Sequence, residues 1–231
     1  MKTLGIIGGM SWESTAVVYR LINQGVAARA GGLHSAPLLL HSVDFAPVAA
    51  LQAAGDWPAL ARMLGTAARG LVQAGAGAVM IATNTMHRVA DEVQAAAGVP
   101  LLHIADATGR ALQAAGVRHA GLLGTAFTMS QPDIVRDRLV QRYGVMTTVP
   151  DATASAEVHR VIYEELCRGR FEPSARAFFA ETIAALGRNG AEAVILGCTE
   201  IGLLISTADS PLPVFDSTAL HAAAAVDWIC T

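Results

Sequence analysis

Two short stretches of this 231-residue chain carry residue types that could move protons. In GAEAVILGCTE, Gly190 to Glu200, an apolar run ends abruptly on Cys198, flanked by Gly197, Thr199 and Glu200. In GAGAVMIATNT, Gly75 to Thr85, the same pattern stands 115 positions earlier, with Thr83 where the later copy has Cys198. A cysteine at a strand-to-helix turn is a candidate thiolate, because N–H groups at the helix start favour negative charge and are expected to lower its pKa. A thiol in one copy and a hydroxyl in the other suit a two-base reaction on one carbon. One group removes a proton and the other side returns one. Plainer readings exist: Cys198 as an inert buried cysteine, and Thr83, Asn84 and Thr85 as a polar helix cap. The match between the two loops favours the chemical reading.

Other candidate groups are less distinctive. GIIGGMSWEST is Gly-rich but lacks the GxGxxG spacing of a dinucleotide site. With Ser11, Ser14 and Thr15 ahead of AVVYRLIN, it reads as a helix N-terminus whose N–H groups suit a carboxylate, or as an ordinary capped turn. His87, His103 and His159 read as structural histidines, and Cys167 and Cys230 as packing or surface residues. Three cysteines without Cys/His ligand spacing predict neither a disulfide framework nor a metal site. The only lysine is Lys2, ahead of the first apolar run, which argues against a pyridoxal phosphate aldimine, and no cofactor is expected.

These loops need a scaffold, and the apolar pattern supplies one. Short runs at 3–8, 36–44, 78–83, 100–106, 120–125, 193–198 and 212–216 alternate with helical stretches, which predicts an α/β fold of parallel strands with crossover helices on both faces. Among the helices, SAEVHRVIYEELCRG should stop at Gly169, and SARAFFAETIAALGRNG should start from a Ser174 cap. The internal match extends further, with Gly5 and Gly8 on Gly121 and Gly124, and PLLHIAD ending at Asp106 on PLPVFD ending at Asp216. Three landmarks in one order predict two similar halves, 1–105 with 216–231 and 106–215. Ligands bind beyond the carboxyl ends of such strands, where Thr83 and Cys198 lie.

The hydrophobic content of 53% is ample for a packed core, and no apolar run approaches the roughly 18 residues of a membrane span. A formal net charge of −3 gives no footprint for nucleic acid or an anionic membrane, leaving a small molecule as the expected partner. The opening MKTLGIIGGMS reads as a strand and turn rather than a secretory signal, which points to the cytoplasm. ALHAAAAVDWI near the C-terminus and the small-residue-rich helices suit the surface of a homodimer.

GGMSWEST, NTMH, LLGTAFTM, GCTEIGLL and LPVFD together resemble the aspartate/glutamate racemase family of cofactor-independent amino-acid racemases, over essentially the whole chain. The resemblance implies two Rossmann-like α/β halves related by pseudo-twofold symmetry. The substrate α-carbon would be held in the cleft between them, with a catalytic thiol from each half. The usual pattern has Cys at the position of Thr83, so TNTMH with GCTEIG is most similar to the Thr/Cys branch, described as L-aspartate/glutamate-specific. Carried over by position, Cys198 is the main acid/base and Thr83 its partner. Met10, Ser11, Gln52, Asn84 and Thr85 match substrate-contact positions, and Thr125, Thr199 and Glu200 line the equivalent loops. Several members place a basic residue in the loop that reads DFAPVAALQ here, and this chain has none there. Hydantoin racemases, maleate isomerases and a catalytically weak amino-acid-binding protein are the rival readings.

Overall fold

The inner strands of the protein are apolar on both sides, because helices cover both faces of each sheet. The computed structural model describes residues 1–231, which divide into two compact units, Met1–His103 with His221–Thr231, and Ile104–Leu220. Along the first stretch run β1 (Leu4–Gly8), α1 (Trp12–Ala30), β2 (Leu38–Ser42), α2 (Phe45–Ala54), α3 (Trp57–Gln73), β3 (Ala78–Ile81), α4 (Ala90–Ala97) and β4 (Leu101–Leu102). The second contains α5 (Ile104–Ala114), β5 (His119–Leu123), α6 (Ala126–Ser130), α7 (Arg136–Tyr143), β6 (Met146–Thr148), α8 (Ala152–Glu164), α9 (Pro173–Arg188), β7 (Ala193–Leu196), α10 (Thr199–Leu204) and β8 (Val214–Asp216). The last helix, α11 (Ser217–Cys230), leads back into the first unit.

Each unit holds a four-stranded parallel sheet, ordered β2-β1-β3-β4 in one and β6-β5-β7-β8 in the other. The two orders are the same topology. Alternation along the strands divides each core in two: Leu4 and Ile6 pack with α1 and α11 on one face, while Ile7, Val79 and Ile81 pack with α3 and α4 on the other. In the second unit Ala120, Leu122 and Ile195 face α5 and α7, and Leu123, Val194 and Leu196 face α8 to α10.

The internal repeat holds at the helix-to-strand turns. At the end of α3, Ala76 N–H donates to Leu71 O at 3.0 Å, and at the end of α9, Ala191 N–H donates to Leu186 O at 3.0 Å. Gly75 and Gly190 follow these helices with φ of 92° to 106°, a backbone region open to glycine. A Cβ on Gly5 would meet Leu71 at 3.0 Å, and one on Gly121 would meet Leu186 at 2.8 Å, so the same helix-to-strand contact requires glycine twice.

Three expectations need correction. Asp106 and Asp216 are not equivalents: Val79 pairs with Leu101 and Val194 with Val214, which aligns Asp216 with His103 and leaves Asp106 inside α5, paired to Arg138 at 2.7 Å. Strand β6 has no counterpart among the apolar runs, since Met146–Thr148 is short, polar and at a sheet edge. Ser174 does not cap α9, which starts one residue earlier with Pro173 in its first turn, after Glu172.

Candidate functional site

In the second unit the chemistry gathers where β7 gives way to α10. Gly197 is fixed by its N–H donating to Leu123 O at 2.6 Å, and a Cβ there would approach that carbonyl to 2.9 Å. Cys198 follows in extended conformation (φ −150°, ψ 132°) at the N-cap of α10. Its Sγ–H donates to Glu200 Oε2 at 3.0 Å, and Glu200 is buried. Thr199, also buried, exchanges a hydroxyl hydrogen bond of 3.1 Å with Thr218, and Ser217 donates to Leu196 O at 2.7 Å. The Asp216 carboxylate accepts from Thr218 N–H at 2.8 Å.

This setting reverses the direction expected for the thiol. Burial pushes the Cys198 pKa well above the ordinary value, the negative charge of Glu200 and its hydrogen bond push it further, and Cys167 adds to the same direction. One backbone N–H, that of Glu200, acts the other way and is outweighed. Helix α10 has six residues, too few for a large dipole. At rest, Cys198 is therefore a thiol sharing its proton with a carboxylate.

Two neighbours join the group: Tyr163, which the sequence did not single out, and His159, which it marked only as structural. Tyr163 on α8 has its pKa pushed up to about 12, by burial first and then by Cys167, Cys198 and Glu200, so its hydroxyl stays neutral. His159, one turn earlier, packs its ring 4.6 Å from the Tyr163 ring and accepts Ala126 N–H at 3.2 Å. That bond joins α8 to the turn where Thr125 caps α6 by accepting Thr128 N–H at 3.3 Å. The i, i+4 spacing of His159 and Tyr163 was the available signal. Cys167 is exposed in the 3₁₀ turn Leu166–Arg168 and not within α8.

The first unit builds its own loop beyond β3. Ala82 N–H donates to Ile7 O at 2.9 Å, the counterpart of the Gly197 bond. Thr83 is half-buried, Asn84 and Thr85 are buried, and a 3₁₀ turn runs from Thr85 to Val89. His87 ties the turn back twice, its backbone N–H to Asn84 O at 3.0 Å and its ring Nδ1 to Thr83 O at 2.7 Å. Met10 is buried after β1 in the same core cluster as Met86 of this turn, and Gln52 is buried in the last turn of α2. The start of α1 is more self-contained than expected: Ser14 N–H donates to Ser11 Oγ at 3.2 Å, and Gly9 N–H to Thr15 Oγ1 at 2.9 Å. One N–H of the helix start, that of Ser14, is thus engaged by the chain itself, as is the Gly9 N–H in the turn before it.

Lys2 precedes β1, at the amino end of its strand, where Nζ donates to Thr231 Oγ1 at 3.1 Å and lies over the Trp228 ring. It stands at the opposite end of the sheet from Thr83. No group of three His, Cys, Asp or Glu side chains is arranged to hold a metal ion. No helix is long and apolar enough to cross a membrane.

The sequence matches the Asp/Glu/hydantoin racemase family over residues 7–225. Among solved structures, a candidate Asp/Glu racemase from Yersinia pestis is 49% identical, with a TM-score of 0.94 and coverage of 100% of both chains. An aspartate racemase homologue from Pyrococcus horikoshii OT3 is 32% identical, with a TM-score of 0.86 and coverage of 100% of both. The Picrophilus torridus aspartate racemase shares the fold at 24% identity and a TM-score of 0.78, over 100% of this chain and 95% of that one.

Proposed function

This chain belongs to the Asp/Glu/hydantoin racemase family and is an isomerase of the racemase type, and from that premise we propose that it racemises aspartate or glutamate with Cys198 and Thr83 on opposite faces of the α-carbon. The observation that carries the reading is the Cys198 thiol, hydrogen-bonded to Glu200 at 3.0 Å beyond β7, with Thr83 in the equivalent place beyond β3 of a sheet of the same topology. Without a cofactor to take up electrons, the carbanion formed by α-proton loss needs stabilisation by hydrogen-bond donors around the substrate carboxylate. Asn84, Thr85 and Thr199 supply such donors, and Gln52 is assigned to the same task.

The resting thiol sets the order of events. The thiol proton passes along the existing hydrogen bond to Glu200, the positive ammonium of the substrate stabilises the thiolate so formed, and the thiolate removes the α-proton. A proton from the Thr83 side completes inversion. Threonine hydroxyl donates or relays through water but is a poor free base at neutral pH, so exchange on the Cys198 face outruns full inversion. The resemblance of TNTMH and GCTEIG to the Thr/Cys branch is the ground for assigning the L-enantiomer to that face. The equilibrium constant between enantiomers is one, so this preference shows in exchange and saturation, not in the net direction.

Proton NMR in D₂O tests the reading. The α-proton signal of L-aspartate or L-glutamate should disappear with the native enzyme, and Cys198→Ala should slow this by about 10²-fold or more, while Cys230→Ser leaves it intact. Binding without exchange would make the protein an amino-acid sensor, and exchange confined to hydantoins would move it to that branch of the family.

A further inference from the structure

The reaction as proposed leaves unused a buried group of three imidazoles in the first unit, His87, His103 and His221. The His87 ring centroid lies 4.5 Å from that of His103 and 5.6 Å from that of His221. His103 follows β4, and His221 reaches in from α11, its Nε2–H donating to Leu102 O at 2.7 Å. A carbonyl only accepts, so the 2.7 Å contact from His87 Nδ1 to Thr83 O is an Nδ1–H donation. Burial and the two neighbouring imidazoles keep His87 neutral by pushing its pKa well below the usual value. A neutral ring with its proton on Nδ1 leaves Nε2 as its acceptor.

We infer that His87 is a positioning residue: its ring holds the Thr83 carbonyl, and hence the Thr83 hydroxyl, in the geometry for proton return, with His103 and His221 forming the wall that keeps the ring in place. This rests on the reading of Thr83 as the acid/base partner. The second unit supplies the contrast. The position equivalent to His87 is Gly202, where a Cβ would already lie 2.8 Å from Asp216 Oδ2, so the thiol loop has no such support and is restrained by the bond from Cys198 to Glu200. The difference follows from the chemistry of the two groups. An alcohol gains little from pKa tuning, so its usefulness depends on direction and distance, where a displacement of about 1 Å can cost on the order of 10²-fold.

The test compares side chains that place an N–H differently. Asn mimics Nδ1–H, and Gln reaches where Nε2 lies. His87→Gln should slow inversion, followed by circular dichroism, about tenfold or more, with L-α-proton exchange within about twofold of native; His87→Asn should recover most of the inversion rate. Native inversion in His87→Gln, or equal loss of exchange and inversion in both variants, would overturn the inference. Thr83→Ala separates it from its premise. If Thr83→Ala leaves inversion intact, the Thr83 reading fails and this inference with it; if Thr83→Ala slows inversion and His87→Gln does not, only the role of His87 fails. Nitrogen-15 NMR of the native enzyme in H₂O needs no variant: a neutral His87 protonated on Nδ1 is expected, and a proton on Nε2 would refute the geometry.

Discussion

A thiol that shares its proton with a buried carboxylate is a reluctant base, and the proposed mechanism gives Glu200 both the restraint and the release of Cys198. Replacing Glu200 with Gln removes the negative charge that holds the thiol pKa up, so more thiolate exists at any given pH. Each unit of pKa is about tenfold in thiolate fraction, partly offset by the lower nucleophilicity of a weaker base. Iodoacetamide should therefore alkylate Cys198 severalfold faster in Glu200→Gln than in the native enzyme at pH 8, as read by peptide mass spectrometry. The native rate should climb as pH rises toward the elevated pKa. Exposed Cys167 reacts in both proteins and serves as the internal reference; equal Cys198 rates would assign the shift to burial alone. The place of Cys198 at a strand-to-helix turn was legible from its Gly-Cys-Thr-Glu setting, but the direction of its pKa was not. Burial and the aim of a carboxylate two residues away are properties of the fold.

Helices meet strands in this protein by one repeated device, a glycine on the first strand of each unit that lets a leucine of the helix approach closely. Gly121→Ala against Leu186, and Gly5→Ala against Leu71, should each destabilise the protein by about 1–3 kcal/mol in urea unfolding, as overpacking of a tight core does. Gly70 in α3 has open space around its Cβ position, so Gly70→Ala should stabilise by roughly 0.5–1 kcal/mol. Destabilisation by all three would mean that loss of glycine itself, not the contact, matters. The strands buried on both faces could be read from their unbroken apolar runs. Strand β6 could not, because Met146–Thr148 is half-exposed and mostly polar. The false pairing of Asp106 with Asp216 arose from matching residue types after a Pro-Leu start, whereas the true register is set by strand pairing and puts an imidazole and a carboxylate at the same place.

Across the whole chain, one topology is used twice with different residues at the matched strand ends. The repeat carried this in the sequence itself: Thr83 and Cys198 keep their 115-residue spacing in the structure, at matched strand ends anchored by matched backbone bonds to Ile7 and Leu123. What the repeat could not reveal is how each loop is held, by three imidazoles in one unit and by a thiol–carboxylate bond in the other, since these partners come from elements distant in sequence. The proposal that the two positions do the same job on opposite faces is tested most directly by Thr83→Cys. The measurement is the ratio of D- to L-enantiomer α-proton exchange in D₂O, in the variant and in the native enzyme. A second thiol should raise that ratio by about 10²-fold, the contribution of a well-placed general acid/base. An unchanged ratio in a variant with native melting behaviour would contradict the account and leave Thr83 as a structural residue of its loop.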